Sequence, residues 1–486
     1  MTAPIVVDFI LYFLGMLAIG AYAYRLVENH PDYILGGRRL QAGVAALSAG
    51  AADMSGWLLL GLPGAVYAQG LNQIWIAVGL SAGAYLNWQL VAAPLRRYTE
   101  IARDSLTLPD YLENRFHDKS RILRAASAVV ILFFFTIYTS AGLGSGAILF
   151  QSTLGFDYLT ALWLGSAVIV SYTFLGGFLA VCWTDVAQGV LMFFALLAVP
   201  IVTIGKLGGW HITLERVAAI DPHFLDAFSG MEFSAIVSLL AWGLGYFGQP
   251  HILARFMAVK SDREIPKAGL ICMWWMILAL YGAVFTGFAA IAAYAQAPLA
   301  NPETAFIALS QALFNPWIAG WLLAAILAAI MSTVSAQLLV SASALTQDFY
   351  KAFLNRDARD RNLLWLGRTG VIAIALVAAW LARDPKSTVL GLVAYAWAGF
   401  GAGFGPVIIF SLYWPRMTRN GALAGMAAGA ATVVAWAHYK GALGGIYEIL
   451  PGFAAACCAI VAVSFLDRTP DSEITVEFAK ARRAPA

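Results

Sequence analysis

An acidic side chain interrupts an apolar stretch near the start of the chain. Asp53 lies in the run SAGAADMSGW (48–57), among small residues. A carboxylate at bilayer depth costs at least a few kcal/mol, so such a residue is usually functional. The carbonyls of Ala51 and Met54 and the hydroxyl of Ser55 lie beside it, and such oxygen ligands suit a hard cation such as Na⁺. The alternative is a structural role in which Asp53 bonds the neighbouring backbone.

A second set of oxygen groups lies in the run AAIMSTVSAQ (328–337). Ala329, Ser332 and Thr333 are spaced i, i+3 and i+4, so a helix would place them on one face. One carbonyl and two hydroxyls on that face would form half of a cation shell, and a partner helix carrying Asp53 could complete it. The alternative is that the hydroxyls bond back to carbonyls of their own helix.

Two apolar segments contain residues that oppose helix formation. The run around Asp53 has two glycines, and WGLGYFGQPH (242–251) has three glycines and Pro250. Glycine weakens a helix and proline removes a backbone hydrogen bond. In lipid, freed carbonyls are tolerated only where they face protein or a wet cavity. Interrupted segments in corresponding halves of a chain indicate a transporter site, whereas a single one is typical of tight helix packing.

Aromatic residues accompany both interruptions. Trp57, Tyr138, Trp242 and Tyr246 could wall a compact apolar solute, although most membrane Trp and Tyr residues lie in interfacial belts. Another acidic residue, Asp185, could bond helix-terminal amides or take part in ion passage. Three further acidic residues fall near the ends of apolar stretches, where exposure to lipid headgroups is expected: Asp8, Asp348 and Glu448.

Composition defines the elements that must position these residues. The chain has 486 residues, of which 61% are hydrophobic and 12% charged. Soluble domains carry about 45–50% apolar and about 25% charged residues, so a polytopic helical membrane protein is predicted. A net charge of +3 gives no electrostatic case for nucleic acid. The scattered cysteines and histidines argue against a disulfide framework and a zinc site. The lack of a Ser/His/Asp set or a metal cluster argues against an enzyme, and we expect no organic cofactor.

Thirteen segments are apolar and long enough to cross a bilayer, which takes about 20 residues each. The first has no basic start or cleavage pattern, so we expect it to be retained rather than removed as a signal peptide. The division between the fifth and sixth is placed at Gly176-Gly177. The predicted spans, numbered in this order below, are 4–24, 42–65, 71–95, 125–151, 158–178, 183–205, 233–253, 268–295, 317–345, 363–382, 388–413, 420–438 and 444–466.

Basic residues indicate the orientation of these spans. With the N-terminus outside and the C-terminus inside, 25 of the 30 Lys and Arg residues, Arg255 among them, fall in inner loops or the tail, as the positive-inside rule requires. The two interrupted spans then begin two five-span units of opposite topology. We therefore expect one transporter domain over 1–486, organised as an accessory helix (4–24), two inverted repeats (42–205 and 233–413), two accessory helices (420–466) and a solvated cytoplasmic tail (467–486).

Longer runs resemble one known family, the solute:sodium symporters, and in particular its proline-carrying members. The similarity extends in order from the first span to about residue 466. Ala52, where these relatives have serine, and Thr139 are departures, but neither removes a proposed ligand. The runs that carry the resemblance are 48–66, 105–116, 176–185, 242–257, 313–320, 331–340 and 394–406.

The resemblance implies a leucine-transporter-like fold and a function. The function is symport of L-proline by alternating access, driven by inward movement of Na⁺ across a bacterial inner membrane, with lipid around the protein and no obligatory protein partner. Asp53 and Ser55 match residues essential for sodium coupling, and Asp185 is a further candidate for that role. The implied sodium ligands are Ala51, Met54, Ala329, Ser332 and Thr333. The implied proline contacts are Trp57, Tyr138, Trp242, Tyr246 and Pro250.

Three other functions remain open at this stage. The same scaffold could carry a different small solute, such as another amino acid, a sugar or a vitamin. A transporter-like membrane sensor is disfavoured because the segment 467–486 is too short for an output domain. A passive channel is disfavoured because no continuous polar stripe runs through several spans.

Overall fold

A computed structural model describes residues 3–25, 30–173, 177–354, 360–384, 388–439 and 445–482. Helices match all thirteen predicted spans in order, and the single β contact within these ranges is an isolated bridge between Leu40 and Val259. Gly176, at the predicted division between the fifth and sixth spans, lies outside the described residues. The helices are Ala3–Tyr24, Ala42–Asp53 with Trp57–Gln69, Leu71–Ile101, Ile122–Leu154, Tyr158–Thr173, Phe178–Leu207, Phe233–Gly248 with Pro250–Ala258, Ile265–Ala293, Pro316–Leu354, Asp360–Leu381, Val389–Tyr413, Arg419–Tyr439 and Ile449–Leu466.

Length and hydropathy support a multi-pass membrane protein. Within the described ranges, nine helices are long and apolar enough to cross a membrane, and the bent pair Ala42–Asp53 with Trp57–Gln69 makes a tenth. Tyr158–Ser171, Phe233–Gly248 and Trp365–Leu381 are apolar but shorter. The all-helical membrane fold is therefore confirmed, whereas the count of thirteen and the orientation stay predictions.

Both predicted interruptions are present in the structure. The second span stops at Asp53 and resumes at Trp57 with a bend of 61°, and Met54 (φ −85°, ψ 76°) has left the helical conformation. In the seventh span, the α-helix becomes a 3₁₀-helix over Ala241–Gly248, and the next helix starts at Pro250. Proline suits a first helical position because its missing N–H would have no partner there.

Small residues let the broken spans pack closely. A Cβ atom at Gly56 would lie 2.6 Å from the Ser145 side chain, and one at Gly83 would collide with the backbone of Gly243. The ninth span lies at the centre of the bundle, and its residues between Leu323 and Leu338 are almost completely buried. It packs against the first, second, fourth and sixth spans. The ninth span can therefore present side chains directly to the break in the second.

The segment after residue 466 is mostly exposed over its described part, but one face of it packs on the bundle. Its place in the cytoplasm stays a prediction. Residues Ser472–Arg482 form a helix whose Phe478 side chain is 5% exposed. The Phe478 ring lies 5.2 Å from the guanidinium carbon of Arg115 and packs edge-on against Tyr98. Residues 483–486 lie outside the described part of the chain. The predicted headgroup exposure of Asp8, Asp348 and Glu448 is wrong, because all three are buried within the protein.

The side chain of Asp118 caps the start of the fourth span. Its carboxylate accepts hydrogen bonds from the backbone N–H groups of Leu123 (2.9 Å) and Ser120 (3.0 Å) and lies 3.4 Å from Arg419 Nη1. Burial raises the pKa of Asp118, but a hydrogen bond from the Ser120 hydroxyl, the two backbone hydrogen bonds and the Arg419 charge together hold it below its ordinary value of 3.8. We expect Asp118→Ala to lower the free energy of unfolding by about 1 kcal/mol at neutral pH.

The pH dependence of that effect follows from the lowered pKa. The stabilisation by Asp118 is complete above its ordinary pKa and is lost as the pH falls through the lower pKa of the folded state. The free energies of unfolding of Asp118→Ala and of the parent should therefore become equal in acid. Thermal unfolding in detergent at several pH values measures the difference. Asp157→Ala removes an exposed helix cap from the fifth span, and it should lower the free energy of unfolding by less than Asp118→Ala does. A loss of stability in Asp118→Ala that does not change with pH would show that the charged carboxylate of Asp118 does not stabilise the start of the fourth span.

Candidate cation and solute site

The break in the second span contacts the face of the ninth span that carries the predicted ligands. Ser332 Oγ lies 2.8 Å from the carbonyl oxygen of Ala51 and 3.0 Å from that of Ala329. All three residues are buried. Ala51 and Ser332 are 281 positions apart in the chain, so the fold has brought together the two halves of the proposed cation shell.

Thr333 and Met54, the other two proposed ligands, are also buried. Thr333 Oγ1 has no hydrogen-bond partner among the described residues. A buried hydroxyl left in this way costs about 1–3 kcal/mol, and a bound cation would remove that cost. Met54 lies between the two helical pieces, where its ψ angle takes its carbonyl out of the helical hydrogen-bond ladder. These carbonyls and hydroxyls have the chemistry that a monovalent hard cation requires.

Asp53 connects the two broken spans. Its side chain is 1% exposed, and its Oδ2 atom accepts a hydrogen bond from the hydroxyl of Tyr246 on the seventh span. Its Oδ1 atom has no hydrogen-bond partner within the described ranges. Ser55 is also buried, and its backbone N–H donates to the Asp53 carbonyl at 3.1 Å. The hydrogen bond from Tyr246 therefore links the break in the second span to the seventh span.

The four predicted aromatic residues gather around the breaks. The rings of Trp57 and Trp242 lie 6.2 Å apart, and the hydroxyl of Tyr138 lies close to the side chains of Trp57 and Ser55. Trp242 also stacks on Tyr447, with ring centroids 5.5 Å apart. Aromatic faces arranged in this way can enclose a small apolar ring.

Two cavities lie on different sides of this cluster. A cavity of about 890 Å³ opens at the end of the bundle that is predicted to face outside, and Trp242 and Tyr447 line it. Pro250 instead lines a smaller cavity with Phe178 and Asp348, towards the predicted inner end. The structure therefore separates Pro250 from the outer cavity that leads to the aromatic cluster.

Asp185 lies in a buried ion pair. Its Oδ2 atom is 3.1 Å from Arg255 Nη2 and accepts a hydrogen bond from Ser48 Oγ at 2.7 Å. Asp185 and Arg255 are both 0% exposed. The assignment of Arg255 to an inner loop is wrong, because this residue lies inside the helix Pro250–Ala258. The pair joins the second, sixth and seventh spans, and a role of Asp185 in ion passage stays a prediction.

Three neighbours of the site were missed by the sequence reasoning. Trp397 donates from Nε1 to the carbonyl of Trp242 at 2.7 Å and packs edge-on against Tyr246. Gln249 donates from Nε2 to the carbonyl of Trp397 at 3.3 Å. Trp397 and Gln249 lie in runs that carry the family resemblance, so both could have been considered, whereas Tyr447 lies outside every such run.

Most of the sequence matches a family model. The model is described as the sodium:solute symporter family, and the match covers residues 33–429. The chain belongs to this family. It is a membrane transporter and not an enzyme. The sodium/proline symporter of Escherichia coli is 55% identical over 99% of this chain and 96% of its own length. The high-affinity proline transporter of Bacillus subtilis is 54% identical over 95% of this chain and 98% of its own length.

Solved structures support the fold. A Na⁺-coupled sialic acid symporter in a substrate-bound outward-open state superposes with a TM-score of 0.81 at 19% identity, covering 96% of this chain and 99% of its own. A nucleobase-cation-symport-1 transporter in a closed conformation gives 0.56 at 17% identity, covering 93% and 99%. At such identities the likeness shows the fold alone, which is the leucine-transporter-like fold predicted from the sequence.

Proposed function

We propose that this protein takes up L-proline together with Na⁺ by alternating access in a bacterial inner membrane. The observation that carries the proposal is the contact of Ser332 with the Ala51 carbonyl, because it joins the broken helix to the ninth span through oxygen groups that can bind a cation. The names of the relatives reported above support proline as the solute.

Sodium would act by holding the two spans together. In the proposed site, the carbonyls of Ala51, Met54 and Ala329 and the hydroxyls of Ser332 and Thr333 replace the water around the ion. A ligand shifts a conformational equilibrium only through different affinities for the two states, so Na⁺ must bind the occluded state more tightly. By reciprocity, Na⁺ and proline then raise each other's affinity. The membrane potential adds about 2.3 kcal/mol per charge for each 100 mV.

The solute would bind beside the same breaks. The hydrogen bond from Tyr246 to Asp53 couples the second span to the seventh, on which Trp242 and Tyr246 lie. The positive end of the half-helix that starts at Trp57 favours a carboxylate, and the rings of Trp57 and Trp242 offer apolar faces to a pyrrolidine ring. Proline has both a carboxylate and a pyrrolidine ring, which supports its assignment as the solute.

The two interruptions also support the proposed organisation of the chain. Each lies in the first span of a five-span unit, 42–205 or 233–413, and we propose that these units are inverted repeats. The segments 4–24 and 420–466 are then accessory helices. The N-terminus lies outside and the C-terminus inside, as the basic residues indicate.

Thr333 tests the ligand assignment directly. Thr333→Ala should raise the Na⁺ concentration for half-maximal uptake about tenfold, because a ligand to the ion is lost. Thr333→Ser keeps the hydroxyl and Ala51→Gly keeps the carbonyl, so both should stay within about threefold of the parent. Initial uptake rates measured over a range of Na⁺ concentrations give these values. The opposite ranking of Thr333→Ala and Ala51→Gly would refute the assignment.

Equilibrium binding tests the choice of solute. Purified protein in detergent should bind labelled proline in NaCl and lose most of that binding in KCl. Unlabelled proline should displace the label at lower concentration than other amino acids, sugars or vitamins. Sodium-dependent binding of another solute, with proline a weak competitor, would keep the symport mechanism and replace the substrate.

A further inference from the structure

A second polar residue lies beside Asp53, on the third span. Asn87 is 1% exposed, and neither its Oδ1 nor its Nδ2 atom has a hydrogen-bond partner in the described part of the chain. Asn87 and Asp53 line the same small cavity, whose other walls are mostly apolar, among them Ile252 and Met276. Three buried polar atoms, one from Asp53 and two from Asn87, therefore lack partners at one place.

Such an arrangement is unfavourable unless a small ligand completes it. Buried polar atoms are almost always hydrogen-bonded, to protein or to ordered water. The cavity measures about 10 Å³, which is about the least that one water molecule requires, and a buried water needs two to four polar partners. The Asn87 amide can both donate and accept, and the free Asp53 oxygen can accept.

We propose that Asn87 is a positioning residue for ion coupling, which holds the free oxygen of Asp53 through one buried water molecule. The water donates to Asp53 Oδ1 and bonds the amide of Asn87. With Tyr246 on the other carboxylate oxygen, Asp53 is then fixed from both the third and the seventh spans. A water molecule suits this cavity better than a dehydrated cation does, because too few oxygen atoms line the cavity to replace the hydration shell of an ion.

The inference rests on the proposed function, since it assigns Asn87 a role in the sodium coupling of Asp53. Asn87→Leu keeps the branched shape and the number of non-hydrogen side-chain atoms but removes both polar atoms. It should raise the Na⁺ concentration for half-maximal proline uptake about tenfold. At saturating Na⁺, the proline concentration for half-maximal uptake should change less than twofold. Asn87→Ser can still hold a water molecule and should lie within about threefold of the parent.

Two further variants distinguish a role of Asn87 in positioning Asp53 from a role in packing alone. Ile252→Val changes an apolar wall of the same cavity and should leave the Na⁺ requirement within twofold of the parent. Should Asn87→Leu fail to accumulate as folded protein, Asn87→Met replaces it with the same expected rise.

The outcomes distinguish the two claims. A parent protein with no sodium dependence would overturn the proposed function. A sodium-dependent parent, with an unchanged Na⁺ requirement in Asn87→Leu or an equal rise in Ile252→Val, would overturn only the role of Asn87. A Na⁺ requirement of Asn87→Ser more than about threefold above that of the parent would also overturn it.

Discussion

Replacing Asp53 by asparagine should lower sodium-driven uptake about 100-fold. The substitution keeps the size of the side chain and an acceptor for Tyr246 but removes the negative charge. A charge several ångströms from a cation is worth about 2–4 kcal/mol at the effective dielectric of a protein, and each 1.4 kcal/mol is tenfold. Asp53 is buried, so solvent does little to screen this interaction. Initial rates in proteoliposomes, normalised to the amount of inserted protein, measure the loss.

Tyr246→Phe is the matched control for Asp53→Asn. It removes the hydrogen bond between the two broken spans but leaves the carboxylate charged. We expect a loss of about tenfold, smaller than that from the loss of the charge. Asp53→Asn with uptake near that of the parent would show that the carboxylate has a structural role and does not assist the cation.

Breaking the buried ion pair should have the largest effect on stability. Arg255 and Asp185 are both 0% exposed, and Ser48 bonds both of them. Removing one partner leaves an uncompensated buried charge, which typically costs about 3–5 kcal/mol. Arg255→Gln should therefore strongly lower the melting temperature in detergent and the amount of folded protein in the membrane.

Replacing both partners should recover much of that loss. In the double variant Arg255→Met with Asp185→Leu, no isolated charge remains, and apolar replacements of buried pairs are often neutral or stabilising. Glu100→Gln disrupts a pair in which Glu100 is 63% exposed, and it should cost no more than about 1 kcal/mol. Equal destabilisation by Arg255→Gln and Glu100→Gln would contradict the importance of the buried pair.

Local features of the sequence made much of the site predictable. Glycine and proline weaken a helix at their own positions, so the two runs taken together predict the breaks at Met54 and Gln249. The helical spacing of Ala329, Ser332 and Thr333 gave their common face without knowledge of the fold. The family resemblance implies that this face and the break in the second span contribute ligands to the same site. The structure places Ser332 against Ala51.

Long-range pairing was not predictable in the same way. Asp185 meets Arg255 across 70 positions and Ser48 across 137, and nothing local in either run indicates those partners. Arg255 lies two residues beyond the apolar stretch 233–253, so its position in the sequence predicts a loop, although the residue is buried in a helix. Asn87 is one polar residue within an apolar span, and only the cavity that it shares with Asp53 distinguishes it from a packing residue.

Uptake under an imposed ion gradient tests the central claim most directly. Purified protein is reconstituted into liposomes that contain potassium salt and is diluted into labelled proline with either Na⁺ or K⁺ outside. We expect proline to accumulate above its external concentration only with external Na⁺, and to leak out when an ionophore collapses the sodium gradient. Equal uptake with K⁺ in place of Na⁺, or entry that never exceeds the external concentration, would contradict sodium-coupled proline symport.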